Sequence, residues 1–252
     1  MTVADYEDLR ARFTATGSTW TPAMERILQA DPSYFAAYLK QHEAPFKKGT
    51  LPRKMQHLLI LAADASTCTE YVPGIRANMA AALAAGATHA EILETLELTS
   101  VLGIHSVSCG VPLLYEVLAE EGLPVPAHSP SNKWSPRQQE LKDNFTVTRG
   151  YWHDNWNQVL ALDPDYLEGY LALSGEPFDE SKSVFDRKTK ELVYIAIDSA
   201  TTHMFLPGLK LHIRNAVKFG ASPDEIMETF ELASLMGIHT MQEGVAVLDE
   251  LK

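Results

Sequence analysis

The chain states one pattern twice. Residues 74–92 read Gly-Ile-Arg-Ala-Asn-Met-Ala-Ala-Ala-Leu-Ala-Ala-Gly-Ala-Thr-His-Ala-Glu-Ile, and 134 positions later residues 208–226 read Gly-Leu-Lys-Leu-His-Ile-Arg-Asn-Ala-Val-Lys-Phe-Gly-Ala-Ser-Pro-Asp-Glu-Ile. Gly103-Ile-His105-Ser returns as Gly237-Ile-His239-Thr at the same spacing. Upstream, Asp31-Pro-Ser-Tyr and Asp163-Pro-Asp-Tyr correspond at a shift of 132, so the second copy gains two residues before Arg187. A tandem repeat of this length allows only folds made of two similar halves.

The period inside each copy is helical. Tyr6, Leu9 and Phe13 share one helix face over residues 3–15, and Met24, Ile27 and Leu28 share another before Ala30. Further helices are expected over 33–41, 52–65, 88–101 and 107–119, with a loop over 45–52. Thr88 and Glu91 have the spacing of a reciprocal helix cap, and Gly86 suits a helix stop. Residues 121–137 hold four prolines and no period, which reads as a linker. No segment alternates convincingly as a strand. The expected fold is all-α, with two pseudo-equivalent helical repeats packed together: 1–120, the linker 121–137, and 138–252.

Of the 252 residues 46% are hydrophobic, enough for a large core, and the formal net charge of -12 argues against nucleic acid or anionic lipid as a partner. The two cysteines, Cys68 and Cys109, have no close spacing and read as buried free thiols of a reducing compartment. No basic, apolar leader opens the chain and no apolar run reaches about 18 residues, so a cytoplasmic protein with no membrane partner is expected.

The pattern His212-x-x-x-Ala216-x-x-x-Gly220-Ala-x-x-x-Glu225-Ile resembles the signature of the carboxymuconolactone decarboxylase and alkylhydroperoxidase D superfamily, and the resemblance covers both halves. It implies two alkylhydroperoxidase D-like repeats. The peroxidase branch carries Cys-x-x-Cys-x-x-x-His. Its cysteine slots are Phe205 and Gly208 in one copy and Tyr71 and Gly74 in the other, so a thiol-dependent peroxidase is disfavoured. The decarboxylase branch carries His-x-Arg, similar to His212-Ile-Arg214, and that branch uses neither metal nor organic cofactor.

By that resemblance His212 is the candidate proton carrier, since an imidazole can exchange protons with carbon near neutral pH; the first copy has Asn78 there, which cannot. His105 and His239 recur in both copies, and Glu243 follows His239 by one turn. Glu97 and Glu231 lie in apolar helices, where a carboxylate needs a partner or a proton. The expected catalytic set is His212, His239, Glu231 and His105. Arg214 is the candidate carboxylate anchor, and Phe205, Tyr71 and Met204 are expected to line the pocket. No His-x-x-x-His or Glu-x-x-His spacing marks a metal site. The expected activity is cofactor-independent acid/base chemistry on a small carboxylated or lactone-like metabolite. A non-enzymatic binding or assembly protein on the same scaffold is the alternative. The family analogy further implies a homo-oligomer, with a trimer of two-repeat chains giving six repeats.

Overall fold

The structure is a computed structural model that describes residues 2–128 and 133–251. Among the described residues there are fourteen α-helices and no strand. The linker expected over 121–137 includes residues 129–132, which lie outside the described residues.

The helices are α1 (Val3–Ala15), α2 (Pro22–Ala30), α3 (Pro32–Lys48), α4 (Arg53–Ala65), α5 (Val72–Ala84), α6 (His89–Ser100) and α7 (His105–Glu120) in the first repeat. The second repeat supplies α8 (Pro136–Arg149), α9 (Asn155–Leu162), α10 (Pro164–Gly175), α11 (Arg187–Ser199), α12 (Leu206–Lys218), α13 (Pro223–Ser234) and α14 (His239–Glu250). Their starts follow local chemistry. Thr2, Ser135 and Ser222 each accept from the third helical N–H, and the residue there reaches back to complete the box. Thr88 and Glu91 make the expected reciprocal pair at 3.1 and 2.8 Å. The loop expected from Pro45 is instead the last turn of α3: the helix runs through Pro45 to Lys48 and stops at Gly49, whose φ of 61° is left-handed.

The chain forms two compact units, residues 1–99 with 184–252, and residues 100–183, and these do not follow the repeat boundaries. In the first unit, α1–α3 close over Leu9, Phe13, Ile27, Leu28, Phe35 and Leu39, and the layer is completed by Ile238 and by Val245 of α14. In the other unit, α8–α10 close over Phe145, Trp156, Leu160 and Leu167, and that layer is completed by Ile104, with Val107 and Val111 of α7 against it. The final helix of each repeat therefore completes the opening helices of the other. Fully burying an aliphatic or aromatic side chain of this kind contributes about 1.5–3 kcal/mol, so neither three-helix layer is whole without the exchanged helix.

At the centre of the first unit, α4 and α11 are buried on nearly every face. Leu58, Leu59, Leu61, Val193 and Ile195 have no exposed surface. Two carboxylates buried beside them are structural. Glu228 accepts from the backbone N–H groups of Thr50 (2.8 Å) and Leu51 (3.1 Å) and from Gln56 Nε2 (2.7 Å), fixing the chain at the start of α4. Its repeat mate Glu94 accepts from Val184 (2.6 Å) and Phe185 (3.4 Å). Glu231, expected to be a catalytic acid in an apolar helix, is partly buried, with Oε1 paired to Lys48 at 3.0 Å and Oε2 unpartnered; the fully buried carboxylate of α13 is Glu228, one helical turn earlier.

One helical stretch, His89–Glu120, is long and apolar enough by length and composition to cross a membrane, where the sequence reading expected none. Its α6 half places Ile92, Leu98 and Glu94 in the interior of the first unit, and its α7 half packs on α9 in the other.

Candidate active site

Asp64 lies in the last turn of α4 and is 0% exposed. The chain then turns sharply. Glu70 takes a left-handed φ of 44°, and the Tyr71 N–H returns to the Asp64 carbonyl at 2.9 Å. That turn sets Tyr71 at the start of α5, with its ring and the Asp64 carboxylate both against Gly74. Gly74 is required here: a Cβ would meet Asp64 Oδ2 and would stand 2.7 Å from the Tyr71 ring. This close approach explains the glycine without any need for a special φ.

Facing this turn is the first residue of α14. His239 Nε2 lies 3.2 Å from Asp64 Oδ1, and its ring stacks on Tyr71 at 3.9 Å between centroids. Asn78, one turn beyond Gly74, donates to Asp64 Oδ2 at 3.0 Å and to the Gly74 carbonyl at 3.1 Å. Its Oδ1 faces His57 Nδ1 at 3.4 Å, so the network assigns the His57 proton to Nδ1. Burial pushes His57 down to about 4 and keeps it neutral. Asp64 moves the opposite way. Loss of water raises its pKa, and His239 and Asn78 only partly restore the charged form.

These groups line a cavity of about 290 Å³. Its walls include Phe13, Ile60, Tyr71, Met236 and Ile238, and its polar groups are Arg26, Tyr38, His42, Asp64, Asn78, His239, Gln242 and Glu243. His42 stacks on Phe13 at 4.5 Å, bonds Tyr38 and Ser18, and is pushed by burial down to about 3. It is a fixed neutral wall. Three buried polar atoms at this cavity have no hydrogen-bond partner: Tyr71 Oη, Arg26 Nε and Gln242 Oε1. Burial, with the Glu243 carboxylate beside it, raises the Tyr71 phenol. Unpaired buried groups are costly, and a pocket that collects them is complementary to a polar ligand. Among the described residues no third metal-ligating side chain joins the His239–Asp64 pair.

The second copy repeats the turn but arranges its polar groups differently. Phe205 returns its N–H to the Asp198 carbonyl at 3.0 Å, and a Cβ on Gly208 would meet Asp198 Oδ2. His212 holds the Asn78 position. Its Nδ1 is 2.6 Å from Glu191, its Nε2 is 3.9 Å from Asp198, and its ring stacks on Tyr194 at 4.6 Å. His212 is buried and does not line the cavity described above. Burial with Glu191 nearby raises Asp198 to about 7.

The expected site residues thus separate. His239 and Tyr71 come together in one cavity. His212, Phe205, Glu231, Arg214 and Met204 do not line it. Arg214 points away from His212, exposed, as two residues along a helix require, and Met204 is half-exposed with a left-handed φ of 48°. His105 opens α7 in the other compact unit. His57 has no exposed surface, and both cysteines, read as buried, are free and exposed. Asp64, Arg26 and Gln242 escaped the sequence reading. The recurrence of aspartate at 64 and 198, ten residues before the repeated glycine, was the available signal for the first.

Residues 32–104 and 164–250 both match the carboxymuconolactone decarboxylase family. The chain belongs to that family. It is similar to the crystal structure of a candidate gamma-carboxymuconolactone decarboxylase subunit from Burkholderia xenovorans, with 39% sequence identity and a TM-score of 0.91, over 98% of this chain and 96% of that one. No match was found among curated proteins.

Proposed function

We propose that the protein is a cofactor-independent acid/base enzyme that decarboxylates a small lactone-type organic acid, and that its working site is the His239–Asp64 cavity. The family and the likeness to a candidate decarboxylase subunit support the reaction class. The observation that carries the residue assignment is the 3.2 Å contact between His239 and a carboxylate buried without water.

In the proposed reaction the bond from the substrate's α-carbon to its carboxylate breaks and carbon dioxide leaves. The electron pair moves into a conjugated carbonyl of the substrate, which serves as the sink. His239 then gives a proton to carbon and recovers one from solvent. Asp64 orients the ring through Nε2 and stabilises the imidazolium, and the Tyr71 hydroxyl, with Glu243 beside it, is the donor for the developing enolate oxygen. Asn78 holds the Asp64 carboxylate in place from the other side. His212, enclosed by Glu191 and Tyr194, has a packing role in this scheme.

The test is carbon dioxide release from a panel of carboxylated lactones by wild type and His239→Gln. A positioned general acid contributes about 10²–10⁴-fold, so turnover should fall by that factor. Undiminished turnover in the variant would remove His239 from the chemistry.

A further inference from the structure

Away from the cavity, one nucleophile has a base beside it. Cys68 is free and exposed in the turn between α4 and α5. Its Sγ lies 3.4 Å from Nδ1 of His203, in the matching turn between α11 and α12. The other ring nitrogen, Nε2, faces Asp198 Oδ1 at 3.9 Å, and the ring stacks on Phe205 at 5.8 Å between centroids. Asp198 favours the ring proton on Nε2, which leaves Nδ1 to accept from the thiol. Burial lowers the His203 pKa, so the imidazole is neutral near pH 7 and can take a proton. A nucleophile, a base in contact with it and an acid behind the base together make the arrangement of an activated thiol. The repeat offers an internal comparison. At the shift of 134, Cys68 corresponds to Thr202 and Thr69 to His203. The mate of the Cys68–His203 contact is therefore Thr69–Thr202, where two hydroxyls meet at 2.8 Å. Two hydroxyls suffice to join the turns, so packing alone does not call for a thiol and an imidazole in the other pair.

We propose that Cys68 is a covalent addition site for small conjugated carbonyl compounds, with His203 as its general base. Sulfur bonds to the β-carbon of the acceptor as the thiol proton passes to His203 Nδ1. The π electrons move to the carbonyl oxygen, and the enolate so formed takes the proton back at its α-carbon. Nothing leaves and no oxidant enters. One thiol and one base are enough, so this chemistry does not need the Cys-x-x-Cys pair that the chain lacks.

The test treats the full-length protein near pH 7 with N-ethylmaleimide and follows each cysteine separately by peptide mass spectrometry. Cys109 is also free and exposed and makes no imidazole contact among the described residues, so it sets the unassisted rate. In wild type Cys68 should react roughly 10- to 100-fold faster than Cys109, the lower end of general-base assistance. His203→Gln keeps a side chain that can bond the thiol but supplies no base. It should bring Cys68 down to about the Cys109 rate and leave Cys109 unchanged, which shows the fold kept. Imidazole added to His203→Ala should restore part of the Cys68 rate without speeding Cys109, a rescue that a packing role would not give. Equal rates at the two cysteines of wild type, a Cys68 rate unmoved in His203→Gln, or no rescue by imidazole overturns the proposal. None of these outcomes bears on the His239 site.

Discussion

Asp198 and Asp64 hold one position in two repeats, and each is an acid kept from water. For Asp198 the shift, from an ordinary carboxylate value to about 7, gives a definite pH dependence. The folded state binds this proton more tightly than the unfolded chain. Its contribution is therefore intact below the ordinary carboxylate range and is lost as pH rises through 7. Asp198→Asn should raise stability above neutrality, by at most about 4 kcal/mol, and give no gain in the acid range; denaturant unfolding at several pH values checks this. At Gly74 the limit is space. Gly74→Ala puts a methyl group into Asp64 Oδ2 and the Tyr71 ring, so it should displace both. A crystal structure of the variant, or an activity loss of tenfold or more with the fold retained, would show it. Histidine and glycine were legible at these places because the repeat printed them twice. Asp64 was not, because a buried aspartate in an apolar helix looks like any other until its neighbours are known.

At the scale of elements, α13 shows how narrowly a helix face is defined. Glu228 and Glu231 are one turn apart, yet one closes three donors at the start of α4 and the other forms a partly exposed pair with Lys48. Glu228→Ala leaves those donors unpaired and should cost at least about 3 kcal/mol. Glu231→Ala should cost no more than about 1 kcal/mol. Paired chemical unfolding of the two variants tests the contrast. The sequence reading chose Glu97 and Glu231 because both sit beside leucines, a one-dimensional cue. Burial follows the face turned toward the start of a central helix, α4 for Glu228 and α11 for Glu94. The helices themselves were readable from periodicity and caps. The exception, α3, continued through Pro45 because a proline in the last turn leaves most of the helix intact.

The whole molecule adds the relation that no single repeat contains. Two α-helical layers are each completed by the last helix of the other repeat, and this exchange carries His239 to Asp64, Tyr71 and Arg26. Tandem alignment revealed the duplication but pairs His239 with its own repeat, so it directed attention to His212. Truncation after Ile238 should therefore do more than shorten the chain. With α14 gone, the surface around Ile27, Leu28 and Phe35 loses its cover, and the Trp20 side chain packed there should become exposed. Tryptophan fluorescence and protease sensitivity of the α1–α3 segment would report it; an unchanged α1–α3 would argue against the exchange.

The claim on which the rest depends is that the chemistry lies where the first repeat meets α14, at His239, and away from His212. Imidazole nitrogen resonances of the nine histidines, followed by NMR while a carboxylated lactone is added, test it most directly. The His239 signals should move on binding, and those of His212, closed off by Glu191 and Tyr194, should stay in place. Movement at His212 with His239 unaffected would contradict the assignment.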